Sequence, residues 1–534
     1  MPLPPLVTRY RTQGPSPHNF NKHTIMKLKI LLLTGLFLIV GYGCNEDDLD
    51  QLDPTRIVPE NFFNTEGQLE AAVISGYSPL RSGNLVGRMY YFLNDLSDDL
   101  HAPTTALFQT GRLLTTGEQN STSPEIGGYW STLYLMVHRA NTAIEGIGGN
   151  ESVDESVRNQ LMGEARFLRG WAYNEIATKW GGAPLYTERV KSTDGFLPRS
   201  SREEVFAQAQ SDLQFAADNL PEKREGEQLG RATQGSALGI LARSYMETDN
   251  LNEAKSALLQ IVNSGNYELL EDFGDNFVEE NGFTSESLFE VVYAPVGDFN
   301  WNQGVGDGTN AKSIRAQEYG PSWRNVTPSA TIVNLFENEL AGCDYTDPRL
   351  SETVIFEDQT YGPDNQFTLS INANGPRINY HGNEVYANWY KYGVYYKREP
   401  GGYYTSTTNY IVMRYADVLL LLAEIEARQG NLDEARNYLN QVRKRAGVPN
   451  IQESCVDADN QGELIKVIID ERAKELASEA VRARDLRRWD RHGVIDASNY
   501  LDYWSEKQLL WPIPLQEIIT NTQISETDQN PGYN

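Results

Sequence analysis

Two segments 181 positions apart carry one pattern without a gap. Leu241-Ala242, Asn250-Leu251-Asn252-Glu253-Ala254-Lys255, Leu258 and Ile261 match Leu422-Ala423, Asn431-Leu432-Asp433-Glu434-Ala435-Arg436, Leu439 and Val442. Apolar residues return every three or four positions on either side of a short polar turn, which is the period of an α-helix. Each copy therefore predicts a helix, a tight turn and a second helix. Alanine at the facing positions lets the two helices approach, and Leu, Ile and Val fill the seam. A lone helix pair cannot bury its apolar face, so the copies demand stacked neighbours.

These units resemble tetratricopeptide pairs, which stack into an arc. Weaker pairs at 129–180 and 201–248 raise the number to roughly four, interrupted rather than tandem. Other helical patterns are Leu69, Ala72, Val73 and Tyr77, then Tyr129–Ile147, 154–180, 201–220, Thr327–Leu340, Tyr415–Gln429, Leu432–Arg445 and Gln461–Trp489. Gly181 is placed to end the 154–180 helix in a left-handed cap, with Pro184 barring continuation. Ser201 and Glu204 form a capping-box pattern. Residues 265–410 differ. They are rich in Gly, Asn, Tyr and Trp, with one strand expected at Leu288–Tyr293 and loops and short strands over 357–408. The expected fold is mostly α, with tetratricopeptide-like helix pairs in a superhelix and a loop-rich insertion carrying short strands. Long irregular insertions on a rigid frame are where binding resides.

The N-terminal stretch sets the address. Lys27 and Lys29 head an eleven-residue apolar run, 30–40, followed by Gly41, Tyr42, Gly43 and Cys44. This is the layout of a secretory signal. As a helix the run rises about 16 Å, short of a bilayer core of about 30 Å. Cys44 after Gly43 resembles a bacterial lipobox, in which the thiol is acylated and becomes the first mature residue. Gly41 departs from the usual Leu, and an ordinary signal with an unmodified cysteine is the alternative. Asn45-Glu46-Asp47-Asp48 resembles the surface-export signal of Bacteroidetes lipoproteins; the other reading is a solvated linker. The expected organisation is an upstream extension at 1–25 with the start at Met26, a signal peptide at 26–43 and an anchor linker at 44–65. Helical, insertion and C-terminal helical regions follow at 66–264, 265–410 and 411–534.

Charge narrows the partners. The formal charge is −27, and residues 1–43 hold five basic and no acidic residues, so the mature chain stands at −32. Such a surface repels nucleic acid and anionic lipid and suits neutral ligands. Beyond Cys44 only Cys343 and Cys455 remain, too few for a disulfide scaffold, and their pairing is left open.

No catalytic arrangement is present: no Gly-x-Ser-x-Gly, His-Glu-x-x-His, Walker loop or Cys-x-x-Cys. Gly304–Gly308 lacks the strand-to-helix setting of a phosphate cradle. Asp457, Asp459, Gln461 and Gly462 faintly echo a calcium loop, but Ile468 at its twelfth position cannot coordinate. Glu471, Glu475 and Glu479, near Arg472, Arg482 and Arg484, are expected in an ion-pair network. No cofactor and no metal are expected.

Several segments together are similar to the SusD/RagB family of outer-membrane nutrient-binding lipoproteins. They are Arg139–Ile144, Gly163–Arg169, Gly181–Leu185, Met413–Leu420, Glu471-Arg472 with Glu475–Ala477, Arg484–Trp489 and Gln529–Tyr533. Ala480 stands where the family usually has Gly, which leaves a local turn in question. The resemblance implies a non-catalytic lipoprotein on the outer membrane. It would capture oligosaccharide, or peptide in some members, for a SusC-like TonB-dependent β-barrel transporter. A protein-binding helical scaffold is the more distant alternative.

Sugar binding needs a flat aromatic face flanked by planar polar groups. Asn94–His101, after Tyr90-Tyr91-Phe92, offers Asp98 and Asp99, although a helix-end capping cluster reads the same. Asp298–Gln303 with Tyr319–Arg324 offers Trp301, Trp323, Tyr319 and Asn302, against the alternative of a tryptophan folded over the body. Tyr386, Trp389, Tyr390, Tyr392, Tyr395, Tyr396, Tyr403 and Tyr404 suit cross-strand packing better than a sugar platform. Trp171, Trp180, Trp489, Trp504 and Trp511 are expected between helices.

Overall fold

The computed structural model describes residues 63–534, except 106, 296, 298, 300–310, 322, 339–346, 372–374, 401–403 and 534. The signal stretch, Cys44, Trp301, Asn302, Cys343, Tyr403 and the 304–308 loop therefore lie outside the described residues. Residues 63–534 form one compact unit.

The chain opens with α1 (Glu66–Tyr77), α2 (Met89–Asp95), β1 (His101–Pro103) and α3 (Gln109–Leu114). A run of long helices follows: α4 (Pro124–Ile147), α5 (Glu155–Trp180), α6 (Arg202–Asn219), α7 (Gln234–Glu247) and α8 (Leu251–Ser264). The insertion holds β2 (Ser287–Val291), α9 (Arg315–Glu318), β3 (Val326–Pro328), α10 (Ala330–Asn338) and α11 (Arg349–Thr353). It continues through β4 (Val354–Phe356), β5 (Thr360–Tyr361), β6 (Phe367–Thr368), β7 (Ile378–Tyr380), β8 (Asn383–Val385) and β9 (Ala387–Trp389). Then come β10 (Tyr410–Arg414), α12 (Tyr415–Arg428), α13 (Leu432–Arg445), α14 (Gln461–Glu475), α15 (Arg482–Arg491) and α16 (Leu515–Thr520). The fold is mostly helical, as expected. Among the described residues the strands form antiparallel pairs: β1–β3, β2–β10, β4–β9, β5–β6 and β7–β8.

The repeat survives into the backbone. The bounds of α12 and α13 are those of α7 and α8 moved by 181 positions. Each turn has one positive-φ residue, Asp249 (φ 58°) in the first copy and Gly430 (φ 85°) in the second. The Asn250 N–H donates to Tyr245 O and the Asn431 N–H to Glu426 O, both at 2.9 Å. Aspartate is one of the few non-glycine residues that visits this conformation readily. The copies also touch, turn against turn. Arg428 reaches Asp249 at 2.5 Å, Gln429 donates to Asn252 at 2.9 Å and Lys255 pairs with Glu426 at 2.6 Å. The helical stack is thus continuous across the insertion, whose neck is closed by β2 against β10, with Val291 opposite Tyr410 and Ser287 opposite Arg414.

One core cluster draws on the helices and on the insertion, from Leu133 and Trp171 through Phe289 and Trp389 to Leu419 and Trp511. Trp171, Trp180, Trp489 and Trp511 are buried as expected. Trp504 is half-buried. Ser201 and Glu204 make the expected capping box. Gly181 ends α5 at φ 73°, ψ −120°, a positive-φ conformation outside the left-handed helical well. Among the described residues, no helix is long and apolar enough to cross a membrane.

Two expected helices are corrected. Thr327–Leu340 begins as strand, because Val326 and Thr327 are β-branched and Pro328 cannot donate within a helix; helix starts at Ala330. Gln461–Trp489 is broken after Glu475, with Ser478 at φ 59° and Ala480 at φ 60°. The departure from glycine noted at Ala480 thus falls at a left-handed position. A β-branched side chain there clashes with its own backbone. Ala480→Val should lower stability by roughly 1–3 kcal/mol, and Ala480→Gly should fold normally. Equal denaturant midpoints for Val and Ala would contradict the assigned turn.

Candidate functional site

The break between α14 and α15 is held by side chains from elsewhere in the chain. Lys391 Nζ donates to the carbonyls of Glu475 and Ala477, both at 2.9 Å, and to Glu479 Oε1 at 2.8 Å. Arg414 donates to Glu475 O at 2.6 Å, and Arg315 Nη2 donates to Ser478 O and Ser478 Oγ. These cations cap the carbonyls that a helix end leaves orphaned. The freed Ala480 N–H donates to Asp95 Oδ1 at 3.2 Å.

The expected ion-pair network exists, with other partners than those expected. Glu471 meets Arg349 and Arg443; Glu475 meets Arg349, Arg414 and Arg445; Glu479 meets Arg414 and Lys391. Glu286 joins through Arg414 and Arg445, and Asp347 through Arg349. Arg472, Arg482 and Arg484 serve Asp417 with Asp485, Asp99, and Glu247 with Glu175 respectively. Glu479 lies beyond the helix break, so it does not share the helical face of Glu471 and Glu475.

Beside this network, the described parts of three stretches named from the sequence, around 94–104, 319–329 and 386–389, come together. β1 pairs with β3, placing His101 opposite Pro328 and Pro103 opposite Val326. Trp389 of β9 lies over the His101 ring at 4.4 Å. The Tyr319 hydroxyl donates to Asp95 Oδ2 at 2.8 Å. Ser329 Oγ donates to Asp99 O at 2.7 Å. Residues 94–104, 319–329 and 386–389 thus form one locus.

Tyr319 is 1 % exposed, so its ring faces the core rather than solvent. Asp98 Oδ1 accepts the N–H groups of Leu100 and His101 and contacts His101 Nδ1 at 2.9 Å. Asp99 takes both nitrogens of a fork from Arg482, at 2.7 and 2.9 Å. The oxygens of Asp98 and Asp99 are therefore engaged inside the protein, at the entry to β1 and on Arg482, and neither caps a helix. Trp323 is half-buried in the turn between α9 and β3. Of the eight-aromatic cluster, Tyr386, Trp389, Tyr392 and Tyr395 are buried, and Tyr390 stacks on Tyr395 at 5.3 Å, a packing role.

Asp95, Asp98 and His101 bring donor atoms within 4.8 Å of one another, close enough for a metal ion. Their bonds argue for a different use. Asp95 already serves Tyr319 and Ala480, Asp98 serves two amides and the imidazole, and the Arg315 guanidinium stands 3.7 Å from Asp95. Burial pulls His101 down to about 4, leaving it neutral at neutral pH. Burial, then the neighbouring Asp99, pushes Asp98 well above the usual carboxylate range.

A cleft of about 610 Å³ opens between α10 and α14, lined by Asn334, Leu335, Asp457, Lys466, Asp470 and Lys474 among others. Burial raises Asp470 to about 6 and lowers Lys474 to about 7. The faint calcium-loop stretch instead supplies the α14 cap, with Asn460 and Glu463 in a capping box. Cys455 is disulfide-bonded to a partner outside the described residues.

Sequence reasoning missed Asn388, which anchors Arg324 through a 2.6 Å bond to Arg324 Nε. Its only trace in the sequence is a lone amide between Ala387 and Trp389. The pairing of Asp99 with Arg482 spans 383 positions and leaves no local signal.

Two sequence families match the chain. One, described as "SusD family", matches residues 285–533; the other, "Starch-binding associating with outer membrane", matches 50–246. A SusD-like protein of Formosa agariphila is 26% identical, over 95% of this chain and 100% of its own. A SusD-like protein of Bacteroides ovatus is 25% identical, over 89% of this chain and 85% of its own. A crystal structure of a SusD superfamily protein from Bacteroides vulgatus superimposes with a TM-score of 0.71 at 26% identity, covering 87% of this chain and 99% of that one.

Proposed function

The chain belongs to the SusD/RagB family, and from that premise we propose that it is a surface lipoprotein that captures oligosaccharide and delivers it to a TonB-dependent β-barrel transporter of the SusC kind. It does no chemistry on its cargo. Acylation at Cys44 anchors it, since each buried methylene of an acyl chain contributes about 0.8 kcal/mol. Trp323 stacks on a sugar ring. Trp301 and Asn302, outside the described residues, join it on the chemistry of an indole beside a planar amide. Tyr319, Asp98 and Asp99 hold the locus from behind as positioning residues.

The observation that carries this reading is the half-buried Trp323 on a turn braced by β1, β3 and β9, in a chain whose N-terminal half matches a starch-binding family. Trp301→Ala with Trp323→Ala should weaken oligosaccharide binding at least about tenfold in calorimetry, with an unchanged unfolding midpoint. Undiminished affinity would remove these residues from the site. Co-purification of a β-barrel transporter, and palmitate incorporation lost in Cys44→Ala, test the delivery and the anchor.

A further inference from the structure

We propose that the Trp323 locus selects glycans bearing an anionic group, a carboxylate or a sulfate, through the guanidinium pair of Arg324 and Arg377 gathered on Tyr386. This rests on the glycan reading above and names the substrate class of that site.

Arg324 directly follows Trp323 and sits at φ 50°, a left-handed conformation that a long side chain adopts at a cost. Its backbone N–H donates to Gly320 O at 3.0 Å, closing the turn that carries Trp323. Its Nε donates to Asn388 Oδ1 at 2.6 Å and its Nη2 to Ala387 O at 3.0 Å. The remaining Nη1 has no hydrogen-bond partner, although the residue is only 2 % exposed. That nitrogen lies toward Gly375 and Thr104: a Cβ added at Gly375 would stand 3.5 Å from Nη1 and 3.0 Å from Thr104 Cγ2.

Arg377 is exposed and converges on the same ring. Its Cζ is 4.2 Å from the Tyr386 centroid, and that of Arg324 is 5.0 Å. Nη1 of Arg377 donates to the backbone oxygen of Glu384 at 2.5 Å. Among the described residues neither arginine has a salt bridge, whereas Arg349, Arg414, Arg443, Arg445, Arg472 and Arg488 in the core are all ion-paired. Burial draws Arg324 down to about 10, so it stays cationic at neutral pH.

Glu357 acts on Arg324 only at a distance, without an ion pair, and a buried cation left without a direct salt bridge gains most when an anion completes it. A neutral sugar needs no such pair, since amides and hydroxyls meet its hydroxyl groups. The chain as a whole carries −27, so two guanidinium groups on one ring stand against the overall charge. Net charge speaks for a neutral ligand, but over more than a Debye length of about 8 Å it is screened and the local pair decides. Arg377 meets the anionic group first, and Arg324 behind it supplies the second positive charge beside the stacking tryptophan.

The test uses the full mature chain and three probes: oligogalacturonate, a sulfated galacto-oligosaccharide and a neutral malto-oligosaccharide. At least one acidic probe should bind about tenfold or more tighter than the neutral one. Its affinity should fall as salt rises, and Arg377→Met should remove the difference while Arg377→Lys retains part of it. Arg377 is exposed, so its variants leave the fold intact; Arg324→Met is a second variant, scored only if its unfolding midpoint is unchanged. Equal binding of acidic and neutral probes, or a preference undisturbed by Arg377→Met, overturns this inference and leaves the glycan reading standing. Binding of none of the three overturns both.

Discussion

Arg414→Ala should lower the free energy of unfolding by about 3–5 kcal/mol, the cost of leaving buried carboxylates without their cation. Arg414 is 1 % exposed and serves Glu286 at 2.7 Å, Glu475 at 2.6 Å and Glu479 at 2.8 Å, as well as the Glu475 carbonyl. It ends β10 and precedes α12, so it ties the neck of the insertion to the helix break. Urea unfolding of the variant measures the loss, and a loss below about 1 kcal/mol, the level of a surface pair, would show that the network relaxes around the gap. Acid should act in the same direction. Burial tends to raise Glu475, but the arginines around it hold its carboxyl well below its ordinary value of 4.5. Glu479 is also held low, by Arg414 and then Lys391, against burial. A carboxylate with a depressed folded-state pKa contributes stability that is complete above its ordinary value and is lost as pH falls through that value toward the folded one. Wild-type stability should therefore decline steeply below about pH 4.5, and the decline should be shallower in Arg414→Ala.

Trp180→Ala should cost a further about 3–5 kcal/mol, the range for emptying a large buried aromatic site. Trp180 closes α5 and is fully buried. Its ring packs against Trp130 at 5.1 Å and Trp511 at 5.3 Å, and its Nε1 donates to Pro512 O at 2.9 Å. Asn530 Nδ2 donates to the Trp180 carbonyl at 2.9 Å and to the Trp511 carbonyl at 2.7 Å. The C-terminal segment thus docks on this residue by ring contact and by hydrogen bond, with Arg199 and Gln119 holding Asp528, Asn530 and Tyr533 beside it. The variant should lose the segment first, seen as proteolytic nicking after α15 at temperatures where the helices persist. Loss of helix and C-terminal protection in one transition would show that the segment does not open separately.

The helical frame was legible because its cause is local. The 181-residue offset, the apolar periodicity of α7, α8, α12 and α13, and the box at Ser201 all act within a few turns of chain. The break at 476–481 was legible only as the turn that the family resemblance put in question at Ala480, because nothing in Leu-Ala-Ser-Glu-Ala-Val itself opposes a helix. Lys391, Arg414, Arg315 and Asp95 impose it from distant positions. The site was half legible for the same reason. Aromatics beside Asp and Asn marked 94–101 and 319–324, which come together around β1 and β3. Which face of Tyr319 meets water, and that Asp99 belongs to Arg482, depend on partners far along the chain. Arg324 carried no signal of its own in the sequence, because its bonds to Asn388 and Ala387 reach more than sixty positions along the chain.

The antiparallel clasp of β2 and β10 gives the insertion a single doorway through which the chain leaves the superhelix and returns. Everything between the two strands can be exchanged for another sequence while the stack on either side keeps its register. Arg315, Arg349 and Lys391 are the dowels, and any replacement segment must bring their equivalents to seat in the same sockets. Such an architecture lets the gripping surface drift toward new cargo quickly and the load-carrying body slowly, and it marks 292–409 as the natural unit for exchange between relatives.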